Sequence, residues 1–338
     1  MIYPWQQSQW TQVTRLKTSE RLPHAMLLYG NQGLGKADFA RALAESVLCQ
    51  SPTDDSQACG HCHSCQLLAA GTHPDIHLLE PTPPENSKSK NPVLNIRIDP
   101  VRSLCEKINQ TSQFGGYRIA ILVDADKLTI SAANSLLKTL EEPGQNVLML
   151  LVTSRTHRLP VTIRSRCQSI RFTEPDEVQA LQWLQANQQL QEIQAQERKA
   201  SDEQLKLALR YAHGSPLAAI SYLQDEDHHK VLAEAMTASV SGKSSLSYAA
   251  ELAKYAKTKT LEGMLIWTSD LSKLLSCGAE SRIVNEPYRS KLQALAQRVD
   301  QQRLFRFQDQ LNFNLQHNSI AVNEQLLWEN LLLSWENL

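Results

Sequence analysis

The sequence predicts an α/β domain built on a parallel sheet and carrying a four-cysteine module, followed by a small helical domain and a larger all-α domain. Three observations predict it. Short continuous apolar runs alternate with helical periodicity up to about residue 172, four of the seven cysteines crowd into residues 49–65, and no comparable β-rich run follows Phe172. At 338 residues the chain is too long for one ordinary core and suits two or three domains.

The elements follow in order. AMLLY, Ala25 to Tyr29, is an apolar strand that ends in a glycine loop, and KADFARALAESVLC after it places Phe39, Ala40, Leu43 and Val47 at helical spacing. Residues 81–92, PTPPENSKSKNP, carry four prolines among polar residues and predict an exposed connection. A helix from about Pro100 to Ser112 leads through Gly115 and Gly116 into RIAILVDAD, whose unbroken apolar run predicts a buried parallel strand with acids at its C-terminal end. SAANSLLKTLEEPG then predicts a helix closed by Pro143 and Gly144, and VLMLLVTS another buried strand. Such alternation predicts helices on both sheet faces, with ligands outside the carboxyl ends of the strands. Beyond Phe172 the pattern is helical, with domains predicted at 1–172, 173–222 and 223–338. The glutamine-rich stretch VQALQWLQANQQLQEIQAQERKA predicts a solvated surface helix or loop insertion, with a partner-binding helix as the sharper alternative. NEQLLWENLLLSW near the C-terminus places Leu326, Leu327, Leu331, Leu332 and Trp335 at a spacing that suits a packed helix.

Composition excludes several classes. Lys+Arg of 34 against Asp+Glu of 35 gives a net charge of -1, so no overall positive field attracts nucleic acid or acidic lipid. The N-terminus has charged and glutamine-rich positions where a signal peptide needs an apolar stretch, and no run reaches the ~18 apolar residues of a membrane span. A cytoplasmic protein is expected, and clustered cysteines there suit a metal better than a disulfide framework.

Three motifs carry chemistry. In YGNQGLGKADFA, Gly30, Gly33, Gly35 and Lys36 form the cradle of a phosphate-binding loop, in which backbone N–H groups approach phosphate oxygens and the lysine reaches the outer phosphates. Ala37 stands where Ser or Thr would ligate magnesium. At the end of AILVDADKL, Asp124 is placed to hold magnesium through water, but Ala125 follows where a base would activate the attacking water. Asp126 lies one position further, and side chains alternate along an extended segment, so it does not simply replace that base. Cys49, Cys59, Cys62 and Cys65 have the C-x9-C-x2-C-x2-C spacing of a closed tetrahedral zinc site without an open position. An iron–sulfur cluster usually adds a further Cys-Pro, which is absent, and His61 and His63, alternating with the cysteines, are read as facing solvent. Finally VTIRSRC puts Ser165, Arg166 and Cys167 just after an expected strand end, where an arginine alone is more often a surface cation.

Taken together, GNQGLGKA, the cysteine module, LVDADKLTISAANSLLKTLEEPG, LVTSRTHRLPVTIRSRC and GSPLAAI resemble the bacterial clamp-loader subunits of the AAA+ superfamily. LLKTLEEP (Leu136 to Pro143) and RSRC (Arg164 to Cys167) are the most distinctive pieces. The resemblance rests on specific motifs over residues 1 to about 222, and on order and size alone beyond them. It implies an AAA+ domain, a helical lid and a helical collar, in a ring that includes ATPase clamp-loader subunits and a delta subunit and places a sliding clamp on primed DNA. It further implies that Arg166, within Ser165-Arg166-Cys167, is a trans arginine finger for a neighbouring ATPase subunit. The departures Ala37, Ala125 and Leu217, the last where a second-domain arginine falls in G-x-x-R, imply a silent site in this chain. ATP or ADP binding stays open, and any polymerase label would describe the holoenzyme. Two alternatives remain at this point: an active AAA+ ATPase on DNA that uses Asp126, and a zinc-containing nucleic-acid-binding module with a vestigial P-loop.

Overall fold

The computed structural model describes residues 2–84, 94–187, 201–317 and 323–338. The chain divides into two compact units, the first ending at Gln179 and the second running from Ala180 to Leu338.

The first unit is a five-stranded, all-parallel sheet in the order β2-β3-β4-β1-β5, formed by β1 (Ala25–Tyr29), β2 (Ile76–Leu79), β3 (Arg118–Leu122), β4 (Val147–Thr153) and β5 (Gln168–Arg171). The three apolar runs legible in the sequence are the central strands, buried on both faces. Side chains alternate across each strand. Leu27, Leu122, Met149 and Leu151 meet α4 (Ile98–Ile108) and α5 (Ile130–Glu141) on one face, while Met26, Leu28, Ile121 and Leu150 meet α1 (Gln7–Thr18) and α2 (Lys36–Leu48) on the other. The edge strands DIHLL and QSIRF lack a continuous apolar run, and so carried no comparable signal.

Local chemistry sets the helix ends. Thr129 caps α5 by accepting from the Ala132 N–H, and the helix stops before Pro143, which disfavours helical backbone at Glu142. Pro100 is tolerated in the first turn of α4, so that helix begins before the proline rather than at it. It also ends earlier than the sequence suggested. Ser112, Gln113 and Phe114 instead form a loop that donates to the buried Asp75 carboxylate.

One expectation needs correction. Ser165, Arg166 and Cys167 do not follow a strand end: they leave α6 (Val161–Arg164) and lead into β5. The β-branched run Val-Thr-Ile resembles a strand by propensity. Carbonyls of Pro160 and Val161 nevertheless accept from the N–H groups of Arg164 and Ser165, closing one helical turn.

The second unit is helical. Ala180 and Leu184 of α7 (Glu177–Ala186) share a core with α8 (Asp202–Tyr211) and α9 (Pro216–Gln224), where Leu217 lies against that core. A separate core joins α10 (Glu226–Thr237), α11 (Ala249–Leu252), α12 (Lys257–Cys277), α13 (Arg289–Ala296), α14 (Gln301–Gln316) and α15 (Glu324–Glu336) around Trp267 and Trp328. Leu331, Leu332 and Trp335 of the C-terminal stretch belong to it and Leu327 borders it, whereas Leu326 is exposed. Most of the glutamine-rich reading (188–200) and of the proline-rich connection (85–93) lies outside the described residues. Among the described residues, no helix is long and apolar enough to cross a membrane.

Candidate functional site

Strand β1 delivers the glycine loop to the N-terminus of α2. A side chain at Gly30 would place Cβ 2.3 Å from the Phe172 carbonyl oxygen, so glycine lets the loop lie against the exit of β5. Gly35 caps α2 with φ 75°, and a Cβ there would stand 2.3 Å from the Tyr3 ring. The segment Tyr3–Gln6 therefore closes over the loop. Gln6 donates to the Leu34 and Gly35 carbonyls at 2.8 and 2.9 Å, the Trp5 indole donates to Leu34 at 3.0 Å, and the Tyr3 hydroxyl donates to Asp38 at 3.0 Å. Carbonyls that a side-chain amide and an indole engage fix this loop from within the chain.

Lys36 does not project outward. Its residue is 5 % exposed, and its ammonium donates to the carbonyls of Gly30 (2.8 Å) and Asn31 (2.6 Å) and to the Ser154 hydroxyl (3.1 Å). Burial lowers its pKa to about 8, while the nearby Asp124 and Asp126 favour the charged form. The two acids themselves are engaged. Asp124, in left-handed backbone at φ 51°, pairs with Lys127 at 2.8 Å, and Asp126 accepts from the Thr153 hydroxyl at 2.7 Å. Ala125 between them is fully buried. Of the residues read from the sequence, Gly30, Gly35, Lys36 and Asp124 lie together here; Tyr3, Gln6 and Ser154 were not foreseen. A polar residue at the end of β4 was the visible signal for Ser154; Tyr3 and Gln6 carried none.

The cysteine module starts where α2 ends. Cys49 caps that helix, Cys59 and Cys62 lie in the following loop, and Cys65 lies in the first turn of α3 (His63–Ala69). The four sulfurs lie within 4.8 Å of one another, with Cys49–Cys62 and Cys59–Cys65 at 3.9 Å. A tetrahedral zinc with Zn–S bonds of about 2.3 Å requires sulfurs roughly 3.8 Å apart, so the donor set fits such an ion. Backbone N–H groups of Cys59, Cys62 and Cys65 point at the sulfurs of Cys49, Cys59 and Cys62. The Cys65 N–H is the main cause of a Cys62 pKa near 6, whereas burial drives the Cys65 thiol up to about 12. A bound dication would reverse that last cost, because a coordinating thiol is deprotonated. His61 and His63 are exposed, as read from the sequence.

Next to the cluster, Ser64 and His73 resemble a nucleophile–base pair at 3.0 Å, but the proton runs the wrong way. The Asp75 N–H donates to His73 Nδ1, so Nε2 carries the proton and donates to Ser64, whose hydroxyl in turn donates to the Leu48 carbonyl. The arrangement ties α3 to the end of α2.

Arg166 stands at another edge of the first unit. Its Nη2 donates to Glu141 Oε1 at 2.6 Å and its Nη1 to the Thr162 carbonyl at 2.9 Å, with the two charged side chains 34 % and 49 % exposed. An exposed pair of this kind contributes about 0–1 kcal/mol to stability. Ser165 donates to the Thr162 carbonyl, and burial pushes the Cys167 thiol up to about 11, which makes it an unreactive packing residue.

Sheet, glycine loop and helical second unit define a P-loop protein of the AAA+ class. Two family models match, one described as DNA polymerase III, delta subunit, over residues 5–176, and one as its C-terminal part over residues 224–337. The chain is 34 % identical to DNA polymerase III subunit delta' of Pseudomonas aeruginosa, covering 100 % of this chain and 98 % of that one. It is 36 % identical to the Escherichia coli subunit delta', over 67 % of this chain and 62 % of that one. Among solved structures, a DNA polymerase III gamma subunit-related protein from Thermotoga maritima is similar in fold, with a TM-score of 0.50 at 18 % identity, covering 96 % of this chain and 99 % of that one. The chain belongs to the DNA polymerase III delta-prime family.

Proposed function

We propose that this chain is a non-hydrolysing subunit of the DNA polymerase III clamp loader, which helps to load the sliding clamp onto primed DNA and supplies Arg166 to a neighbouring ATPase subunit. The observation that carries the silent-site reading is the joint replacement of the loop and strand-end groups by Ala37 and Ala125, with Leu217 packed against the core around Leu184. Ala37 offers no magnesium ligand and Ala125 offers no base, whatever Lys36 does when a nucleotide is bound. Retention of ATP or ADP is compatible with this reading; turnover is not.

Zinc at Cys49, Cys59, Cys62 and Cys65 would be structural, since four thiolates close the tetrahedron and leave no position for a reacting group. The separate cores around Leu184 and around Trp267 support a lid at 173–222 and a collar at 223–338 that assembles with the ATPase and delta subunits. A shared cytoplasmic location with these partners is part of the same reading.

The test is ATP turnover, with clamp and primed DNA, of a loader assembled from this full chain and its ATPase partners. Replacing Arg166 by Ala should slow hydrolysis at the adjoining site by about 10³-fold, the lower end for trans arginine fingers, while assembly stays intact. Unchanged turnover would sink the finger assignment.

A further inference from the structure

LLKTLEEP, one of the two most distinctive stretches of the sequence, has no role in the reading above. Its place in the fold supplies one. Glu141 is the last residue of α5, and its carboxylate reaches across to Arg166, beyond the end of α6. A second anchor, the Thr162 carbonyl, comes from α6 itself.

A guanidinium presents five N–H donors in a rigid planar fork. Glu141 takes one on Nη2 and Thr162 one on Nη1, which fixes the plane and leaves three donors without an acceptor among the described residues. The anchors lie on two helices that pack against each other through the apolar core, so the fork is referenced to the body of the unit rather than to a flexible loop. Both charged side chains remain partly exposed, and little stability is gained from the pair. Orientation of the arginine is what the contact accomplishes.

We propose that Glu141 is a positioning residue for Arg166, holding its guanidinium in one orientation for a phosphoryl group on an adjoining subunit. This rests on the reading of Arg166 as a trans-acting finger. A carboxylate that kept only one donor would not block the arginine's approach to phosphate, and the bidentate anchoring would spare the ordering of a long side chain at the moment of reaction.

The experiment uses the assembled loader with clamp and primed DNA, and separates kcat from KM for ATP. Glu141→Ala should lower kcat roughly 10-fold at unchanged KM, because orientation is used in the transition state and not in nucleotide binding. Glu141→Gln, whose amide oxygen still accepts from Arg166, should recover most of the loss. Combined with Arg166→Ala, Glu141→Ala should add nothing, and the neighbouring Glu142→Ala should behave as wild type. The proposal is overturned if Glu141→Ala leaves kcat unchanged or raises it, if its effect persists in the Arg166→Ala background, or if Glu142→Ala is equally slow. Co-elution of each variant with its partners separates a loss of assembly from a loss of rate. An Arg166→Ala loader with full activity refutes the finger reading itself, whereas a slow Arg166→Ala beside a fast Glu141→Ala refutes only the positioning role.

Discussion

The glycine loop and the cysteine cluster lie at opposite ends of one helix, α2, and they handle charge in opposite ways. At the N-terminal end the chain supplies both partners: an ammonium from Lys36 and oxygens from Gly30, Asn31 and Ser154, with Asp124 and Asp126 close by. At the C-terminal end the signs are unequal: one ammonium, Lys17, bound to Ser46 at 2.6 and 2.7 Å, acts on Cys49. Four sulfurs, once ionised, face backbone N–H dipoles and that single ammonium. Backbone dipoles and one ammonium do not balance four thiolates, so a multivalent cation is the chemical complement of that end. The comparison teaches that a nucleotide-loop motif can be completed internally, while a four-thiol motif calls for a partner from outside.

The largest effect that would test this contrast is at the cluster. Purified full-length protein should carry one equivalent of zinc, and chelation or Cys62→Ser should lower unfolding stability by on the order of 5 kcal/mol, part of the ~10–16 kcal/mol that zinc provides in small peptides. Metal analysis and denaturant unfolding check this; zinc-free protein with all four thiols reactive would break the comparison.

A smaller effect is expected at the loop. Gly35→Ala should cost about 1–3 kcal/mol, because it forces an L-residue into left-handed backbone and drives Cβ against the Tyr3 ring. The readout is thermal unfolding together with proteolytic accessibility of the N-terminal segment. An unchanged midpoint would mean that Tyr3–Gln6 does not close over the loop in solution.

The smallest effect sharpens the comparison from the charge itself. Lys36 has a folded pKa of about 8, below its ordinary 10.5. Between those values the unfolded state binds more protons, so stability should rise as pH rises, by up to about 1.4 kcal/mol per pH unit from this group. Lys36→Met should flatten that rise without slowing the assembled loader's ATP turnover more than about two-fold, in contrast to a lysine that holds reacting phosphates. A large loss of turnover would return this loop to catalysis.

How much of this was legible follows from the residues. The central strands announced themselves because a strand buried on both faces must be apolar throughout, and Ala25–Tyr29 and Val147–Thr153 are nearly so. Edge strands with one or no buried faces, such as Gln168–Arg171, carry little pattern. The cysteine spacing predicted convergence correctly, since short loops leave few ways to place four thiols. Val161–Arg164 misled, because four residues are too few for periodicity to overrule β-branched propensity.

The sequence by itself determined the inventory: a glycine loop with Ala37 and Ala125 in place of its catalytic groups, four thiols in register, and an arginine between Ser165 and Cys167. Tertiary structure decided what each group touches. The clasp of Tyr3 and Gln6 on Gly35, the Ser154 hydroxyl on Lys36 and the Glu141 carboxylate on Arg166 join residues 25 to 118 positions apart. Sequence periodicity reports which face of an element is buried, because that repeats every few residues. It carries no record of which distant polar group meets another, because that depends on the order of strands in the sheet and on where each helix ends.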